Sequence, residues 1–386
     1  MAALTKRMQR FTTTIFTEIS ALAQRYDAIN LGQGFPDTDG PREILDAASR
    51  SILTGNNQYP PARGVPELRK AIATHRERFF GMKYDPDTEV LVTVGATEAL
   101  VAAQLALLNP GDEVVALEPF YDSYDAGAAL AGATLVPVRL DAPEFALSVD
   151  RLRAAITPRT RMLLLNSPHN PTGRVFTRDE LEQLAAVAIE HDLIVLTDEV
   201  YEHLVFDGHR HVPIASLPGM RERTISVGSG GKTFSTTGWK VGWITAPAAL
   251  VSAVATVKQH LTFVGPAPMQ YGIAEGLALP PARIHAIRDG LQAQRDLLVD
   301  AVRSAGLDAF VPQGGYFVVA DVATLDAGCA MEFCELLPRT TGVAAIPLAP
   351  FYRDAAGAET LVRFAFSKRP EVLRAAGERL QRLRAK

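Results

Sequence analysis

The chain has 386 residues, 47% hydrophobic and 21% charged, with a formal net charge of −4. At roughly 150 residues per domain, that length predicts two to three domains with a sizeable core, which excludes a disordered or fibrous chain. The slightly acidic balance speaks against a general nucleic-acid binder, which carries a basic footprint.

Two cysteines, Cys329 and Cys334, make neither a disulfide framework nor a four-cysteine zinc site, and in a stretch that reads as helical they are expected to pack. The longest uncharged run, 241–257, contains Gly242 and Pro247 and falls short of the ~20 apolar residues that span a bilayer. Lys6, Arg7 and Arg10 near the start are followed by no apolar export segment. The expectation is a cytoplasmic protein without a membrane span.

In chain order, 89–94 reads as a strand, 97–108 as a helix, 113–117 as a strand, 123–131 as a helix, and 134–138 and 162–166 as strands. The segment 177–191 reads as a helix opened by a capping box, Thr177-Arg178-Asp179-Glu180. The run 193–197 is a short, continuously apolar strand of the buried type, followed by strands at 224–227 and 241–244. This alternation predicts an α/β domain with a mostly parallel sheet, its ligand lying beyond the carboxyl ends of the strands.

Later segments differ: a long helix over 281–306 leading into 315–320, a helix over 331–338, strands over 343–348 and 361–367, and a terminal helix over 370–386. They predict a smaller α+β domain. The expected division is a large domain over 46–280, with 1–45 packing onto 281–386.

Four segments at predicted strand ends carry candidate chemistry. Gly95-Ala96-Thr97 opens a helix, where free backbone N–H groups and the helix dipole favour an anion, or serves as an ordinary turn. Ser229-Gly230-Gly231-Lys232 combines a hydroxyl, close backbone access and an ammonium, a set suited to a phosphate. It is neither a Walker loop nor a dinucleotide fingerprint. Asp198-Glu199-Val200-Tyr201 places a carboxylate after a buried strand, costly unless paired; a helix cap is the plain alternative. Ser167-Pro168-His169-Asn170-Pro171-Thr172-Gly173 is a proline-stiffened loop that either aims the Asn170 amide into a site or is only a turn. Together, a phosphate cup, an amine, a buried carboxylate, a phenol and an amide make the set that pyridoxal phosphate needs.

On these motifs the chain resembles the class I/II aminotransferases of pyridoxal-phosphate fold type I. The resemblance runs from Asn30-Leu31-Gly32-Gln33-Gly34-Phe35-Pro36-Asp37 to Leu361-Val362-Arg363-Phe364. It points to the branch holding kynurenine, methionine and N-succinyldiaminopimelate aminotransferases. It implies a seven-stranded, mostly parallel mixed sheet in the large domain, and a ping-pong exchange between glutamate/2-oxoglutarate and a second amino/2-oxo acid pair.

The same resemblance implies roles. Lys232 attaches the cofactor covalently and moves the proton; Asp198 keeps the pyridine nitrogen protonated; Asn170 and Tyr201 hydrogen-bond the ring oxygen; Tyr121 stacks on the ring. Gly95, Ala96, Thr97, Ser229 and Lys240 hold the phosphate, with lysine at 240 where many relatives carry arginine. Tyr59 reaches the partner subunit's phosphate, which makes a homodimer with shared sites. Arg363 binds the substrate α-carboxylate beside the Gly34 backbone, and Phe16 lines the substrate pocket. Phe263 and Val264 match a pocket-edge loop from the partner chain; kynurenine aminotransferases carry histidine at the latter position.

Within this family the favoured substrate is N-succinyl-2,6-diaminopimelate, as in lysine biosynthesis. The alternatives are a broad methionine, glutamine or kynurenine aminotransferase, a cysteine-S-conjugate β-lyase working through the same residues, or a module of this fold that binds pyridoxal phosphate or an effector without turnover. Three further features lean structural. His209 and His211 have the spacing of a metal pair but lack acidic or cysteine neighbours in sequence, so no metal is expected. His169 lies beside Asn170 and is a possible substrate contact. Gly314-Gly315-Tyr316-Phe317 precedes a strand and could approach the pocket.

Overall fold

The computed structural model describes residues 4–11, 14–325 and 328–384. A short strand, β1 (Ile29–Asn30), precedes the main sheet. That sheet is built from β2 (Val90–Val94), β3 (Glu113–Glu118), β4 (Thr134–Arg139), β5 (Thr160–Asn166), β6 (Ile194–Asp198), β7 (Thr224–Ser229) and β8 (Val241–Thr245). Their order is β2-β8-β7-β6-β5-β3-β4. β8 runs antiparallel to both neighbours, and every other pairing is parallel. β3, β6 and β8 are almost wholly buried, as uninterrupted apolar runs between helix layers should be.

The predicted strands are all present, and several run a residue or two further than their apolar cores. Asp198 closes β6 and pairs with Val227, and Ser229 closes β7 opposite Gly242. The backbone ladder continues past the last apolar side chain, so polar residues stand on the sheet's rim. Helix Arg178–Glu190 opens with the expected capping box: Thr177 accepts from the Glu180 N–H while the Glu180 carboxylate accepts from the Thr177 N–H.

The C-terminal part holds a four-stranded sheet ordered β12-β13-β10-β9, made of β9 (Asp308–Phe310), β10 (Phe317–Asp321), β12 (Ile346–Pro347) and β13 (Leu361–Ala365). A two-stranded pair joins β1 to β11 (Val343–Ala344) in parallel. The expected single strand over 343–348 is therefore divided at Ala345 between two sheets. The run is apolar on both faces, so no alternation marks the switch. Within 315–320 the strand starts at Phe317, after Gly315 at φ +81°. The terminal helix ends at Leu380 with a tighter turn over Gln381–Leu383; Ala385 and Lys386 lie outside the described residues.

The N-terminal helix Ile15–Arg25 packs on helix Ala330–Thr341 and on β11. Cys334 is buried in that second helix, as expected, while Cys329 is only half-buried at its N-cap position; both are free thiols. No helix among the described residues is long and apolar enough to cross a membrane.

Candidate active site

The parallel strands carry their carboxyl ends to one rim, and the antiparallel β8 brings its amino end there. Lys240, immediately before β8, thus joins residues that follow β2, β5, β6 and β7. A cavity of about 450 Å³ opens at this rim, lined by Phe16, Gly34, Gly95, Ala96, Thr97, Tyr121, Asn170, Asp198, Tyr201, Ser229, Lys232, Lys240 and Arg363. Of the residues to which roles were assigned, Tyr59 and the pocket-edge pair Phe263 and Val264 are the ones not among them.

Lys232 lies on the short helix Gly230–Thr233, whose N-cap is Ser229. The Ser229 hydroxyl accepts from the Lys232 N–H at 3.4 Å, and Lys232 Nζ donates to the Gly34 carbonyl at 3.4 Å. Burial pushes the ammonium down to about 8; nearby Asp198 opposes the shift, and Arg363 and Lys240 add to it.

Asp198 is buried at the end of β6. Burial drives its carboxyl above the ordinary range, while the Tyr124 hydroxyl, the Val200 N–H and Lys232 pull it back. Tyr124 donates to Asp198 Oδ2 at 2.7 Å, and the Val200 N–H to Oδ1 at 3.3 Å. The preceding loop is tied by Asn166, whose Nδ2 donates to the Asp198 and Pro168 carbonyls and whose Oδ1 accepts from the Asn170 N–H at 2.7 Å.

Arg363 stands in β13 and is only 1% exposed. Its Nη1 donates to Asn170 Oδ1 at 3.2 Å and its Nη2 to the Gly32 carbonyl at 3.1 Å. Its buried Nε has no hydrogen-bond partner among the described residues. Burial lowers the guanidinium to about 10, opposed by Tyr201, Tyr121 and Asp122. The ring of Phe317 lies 3.9 Å from its Cζ, and those of Phe351 and Phe16 at 5.0 and 5.3 Å.

Gly95 adopts φ +75°, and a Cβ there would stand 3.0 Å from Lys240 Nζ. The positive φ favours glycine here, and an added Cβ would crowd the Lys240 side chain. Helix Gly95–Leu107 starts at this point, directing its first N–H groups toward the lysine's cavity. Lys240 itself is left-handed, with φ 54° and ψ 42°, a costly conformation for a side chain other than glycine or asparagine.

Tyr59 is 81% exposed, away from the cavity, with its ring edge-on to exposed Phe263 at 5.4 Å. His169 is buried, is not among the residues lining the cavity, and pairs through Nδ1 with Thr172 Oγ1 at 2.8 Å. Gly314 and Gly315 do not line the cavity; Gly314 bridges to Val205, while Phe317 takes the place at the wall.

His211 also differs from its sequence reading, because folding brings Glu199 and Glu202 beside it. The Arg76 guanidinium lies 2.6 Å from Glu202 and 3.1 Å from Glu199 and supplies the balancing charge for this buried group. The sequence reading missed Tyr124 and Asn166 as supports of Asp198; Tyr316, in the segment expected near the pocket, donates through its hydroxyl to the Lys232 carbonyl at 2.6 Å. Asn166 carried the signal that marked Asp198, a polar residue closing an apolar strand.

Residues 26–380 match the family model for aminotransferase class I and II. The chain is 50% identical to a probable N-succinyldiaminopimelate aminotransferase of Mycobacterium tuberculosis, over 97% of each chain. The solved structure of the M. tuberculosis N-succinyldiaminopimelate aminotransferase superposes with a TM-score of 0.96, covering 99% of this chain and all of that one. A methionine aminotransferase of Escherichia coli is 41% identical over 98% of this chain and 97% of its own. A structure with that activity, from the same organism, gives a TM-score of 0.95 at 40% identity, covering 98% and 99% of the two chains. The chain belongs to the class I and II aminotransferase family. It is a fold-type I, pyridoxal-phosphate-dependent aminotransferase acting on amino and 2-oxo acids.

Proposed function

We propose that the cavity holds pyridoxal phosphate and exchanges an amino group between glutamate and N-succinyl-2-amino-6-oxopimelate. The observation that carries this reading is the convergence of three charged groups, part-buried Lys232 and buried Asp198 and Arg363, from three separate elements onto one cavity. The residues fit the cofactor. Gly95 leaves space beside Lys240 that a side chain would fill, next to a helix N-terminus suited to phosphate. Asp198 is an acceptor held by two donors, suited to a pyridinium N–H. Tyr121 supplies an aromatic face at the cavity wall, and Asn170 and Tyr201 supply polar tips.

Pyridoxal phosphate, when bound, supplies an aldehyde for the amine and a ring that takes up the electron pair left at the substrate's Cα. Lys232 Nζ, held toward its neutral form by burial, is the covalent anchor and then the base that takes the Cα proton. Asp198 retains a proton on the ring nitrogen through its own negative charge. Arg363 receives the α-carboxylate, its unpartnered Nε being a donor already stripped of water. Gly34 lets Phe317 close against the backbone there, since a Cβ would stand 2.3 Å from the ring.

In this reading residues 46–280 carry the cofactor, and 281–386 with 1–45 carry the carboxylate-binding arginine. Tyr59, Phe263 and Val264 face a second copy of the chain and complete its site in a homodimer; the exposed Tyr59–Phe263 ring pair supports that placement. The substrate assignment rests on the 50% identity to the M. tuberculosis relative. The test is to load the enzyme, convert it with glutamate, and rank acceptors by the rate at which each reverses the conversion. The reading predicts that the succinylated oxo acid leads; a stronger response to the methionine-derived oxo acid moves the assignment to a broad aminotransferase.

A further inference from the structure

A second cavity, of about 460 Å³, adjoins the first. Phe16 lines both, so its ring is the partition between them. It packs edge-on against Phe351 at 5.7 Å, and both rings lie near the Arg363 guanidinium. A substrate whose α-carboxylate is on Arg363 therefore has its side chain beside this partition.

The second cavity also has charged residues in its walls. Arg10, from the N-terminal segment, and Arg353, which follows Phe351 closely, both donate to one oxygen, Asp125 Oδ1, at 2.6 and 3.2 Å. Arg353 Nη2 also donates to the Leu135 carbonyl at 3.2 Å. Among the described residues, Nε and Nη1 of both arginines make no hydrogen bond. One carboxylate oxygen thus holds two guanidiniums whose other donors remain free. Asp122 lines the same space and offers an acceptor.

We propose that this second cavity is the subsite for the distal arm of the amino-acid substrate, with Arg10 and Arg353 binding its carboxylates and Asp122 accepting from its amide N–H. This rests on the substrate reading above, which requires an acyl amide and carboxylates remote from the reacting carbon. The cavity offers donors for the carboxylates and an acceptor for the amide, with an apolar partition against the methylene chain. Glutamate lacks the acyl amide and the second distal carboxylate that these groups would bind.

The experiment measures kcat/KM on the loaded enzyme for N-succinyl-2,6-diaminopimelate and for glutamate, in wild type, Arg10→Gln and Arg353→Gln. Inhibition by N-succinyl-2-aminopimelate, which lacks the transferable amine, reports binding without chemistry. Arg10 is partly exposed on the N-terminal segment, so its variant keeps the test independent of folding. Each variant is expected to lower the succinylated-to-glutamate ratio of kcat/KM about tenfold, mainly through KM, and to weaken the inhibitor by a similar factor. A wild type that turns over the succinylated donor, with variants that leave both ratio and inhibition unchanged, overturns the subsite alone. A wild type that ignores the succinylated donor overturns the substrate reading and the subsite with it.

Discussion

The Tyr124 hydroxyl donates a 2.7 Å hydrogen bond to Asp198 Oδ2, with both groups buried. Tyr124 is on the first turn of helix Ser123–Ala131, just beyond the cavity-lining Tyr121, so one segment supplies a wall residue and a support for the carboxylate beneath it. A buried carboxylate that lost this donor would be harder to keep ionised. Tyr124→Phe should therefore preserve the fold and lower kcat about tenfold, with the acid limb of the rate profile moving to higher pH. A loss of rate with an unmoved pH profile would assign Tyr124 to packing alone.

Arg363→Lys keeps a positive charge but loses the planar pair of donors. KM for amino-acid substrates should rise at least about tenfold, while bound cofactor per chain stays at the wild-type level. Titration of cofactor content beside steady-state kinetics checks this. Parallel losses of both would make Arg363 a structural residue of β13.

Lys232, pushed down to about 8, controls cofactor loading. Only the neutral amine attacks an aldehyde, so attachment of added pyridoxal phosphate to cofactor-free enzyme should speed up from pH 6 to about 8 and then level off. A rate still climbing steeply at pH 10 would belong to a lysine with its ordinary pKa, about 10.4.

His169 is buried and pushed down to about 3 by desolvation. In the unfolded chain it titrates near 6.5. Below that value the unfolded state binds a proton that the folded state refuses, so this contribution to stability is present above about pH 6.5 and is lost as pH falls toward 3. His169→Gln removes this contribution. The stability lost by wild type between pH 7 and pH 5, measured by urea unfolding, should exceed that lost by the variant by about 2 kcal/mol. Equal losses would show that His169 is charged in the folded protein.

The sheet was legible because its strands are apolar runs and its helices carry local signals such as the Thr177–Glu180 capping box. The cavity was legible because its residues follow strands: Gly95, Asn170, Asp198 and Lys232 are each near a strand's carboxyl end. What local sequence cannot show is pairing at a distance. Tyr124 with Asp198, Arg10 and Arg353 on Asp125, and Glu199 and Glu202 around His211 and Arg76 join segments that only folding brings together. The division of 343–348 between two sheets was hidden for a related reason, since an apolar run does not say which neighbour it will pair with.

The most direct test of the central claim is the absorbance spectrum of the purified protein incubated with pyridoxal phosphate, before and after glutamate. The account predicts a visible band from covalently held cofactor that disappears on glutamate addition and returns with 2-oxoglutarate, and that never forms in Lys232→Ala. A wild-type protein that stays colourless, or whose band glutamate leaves unchanged, would contradict it.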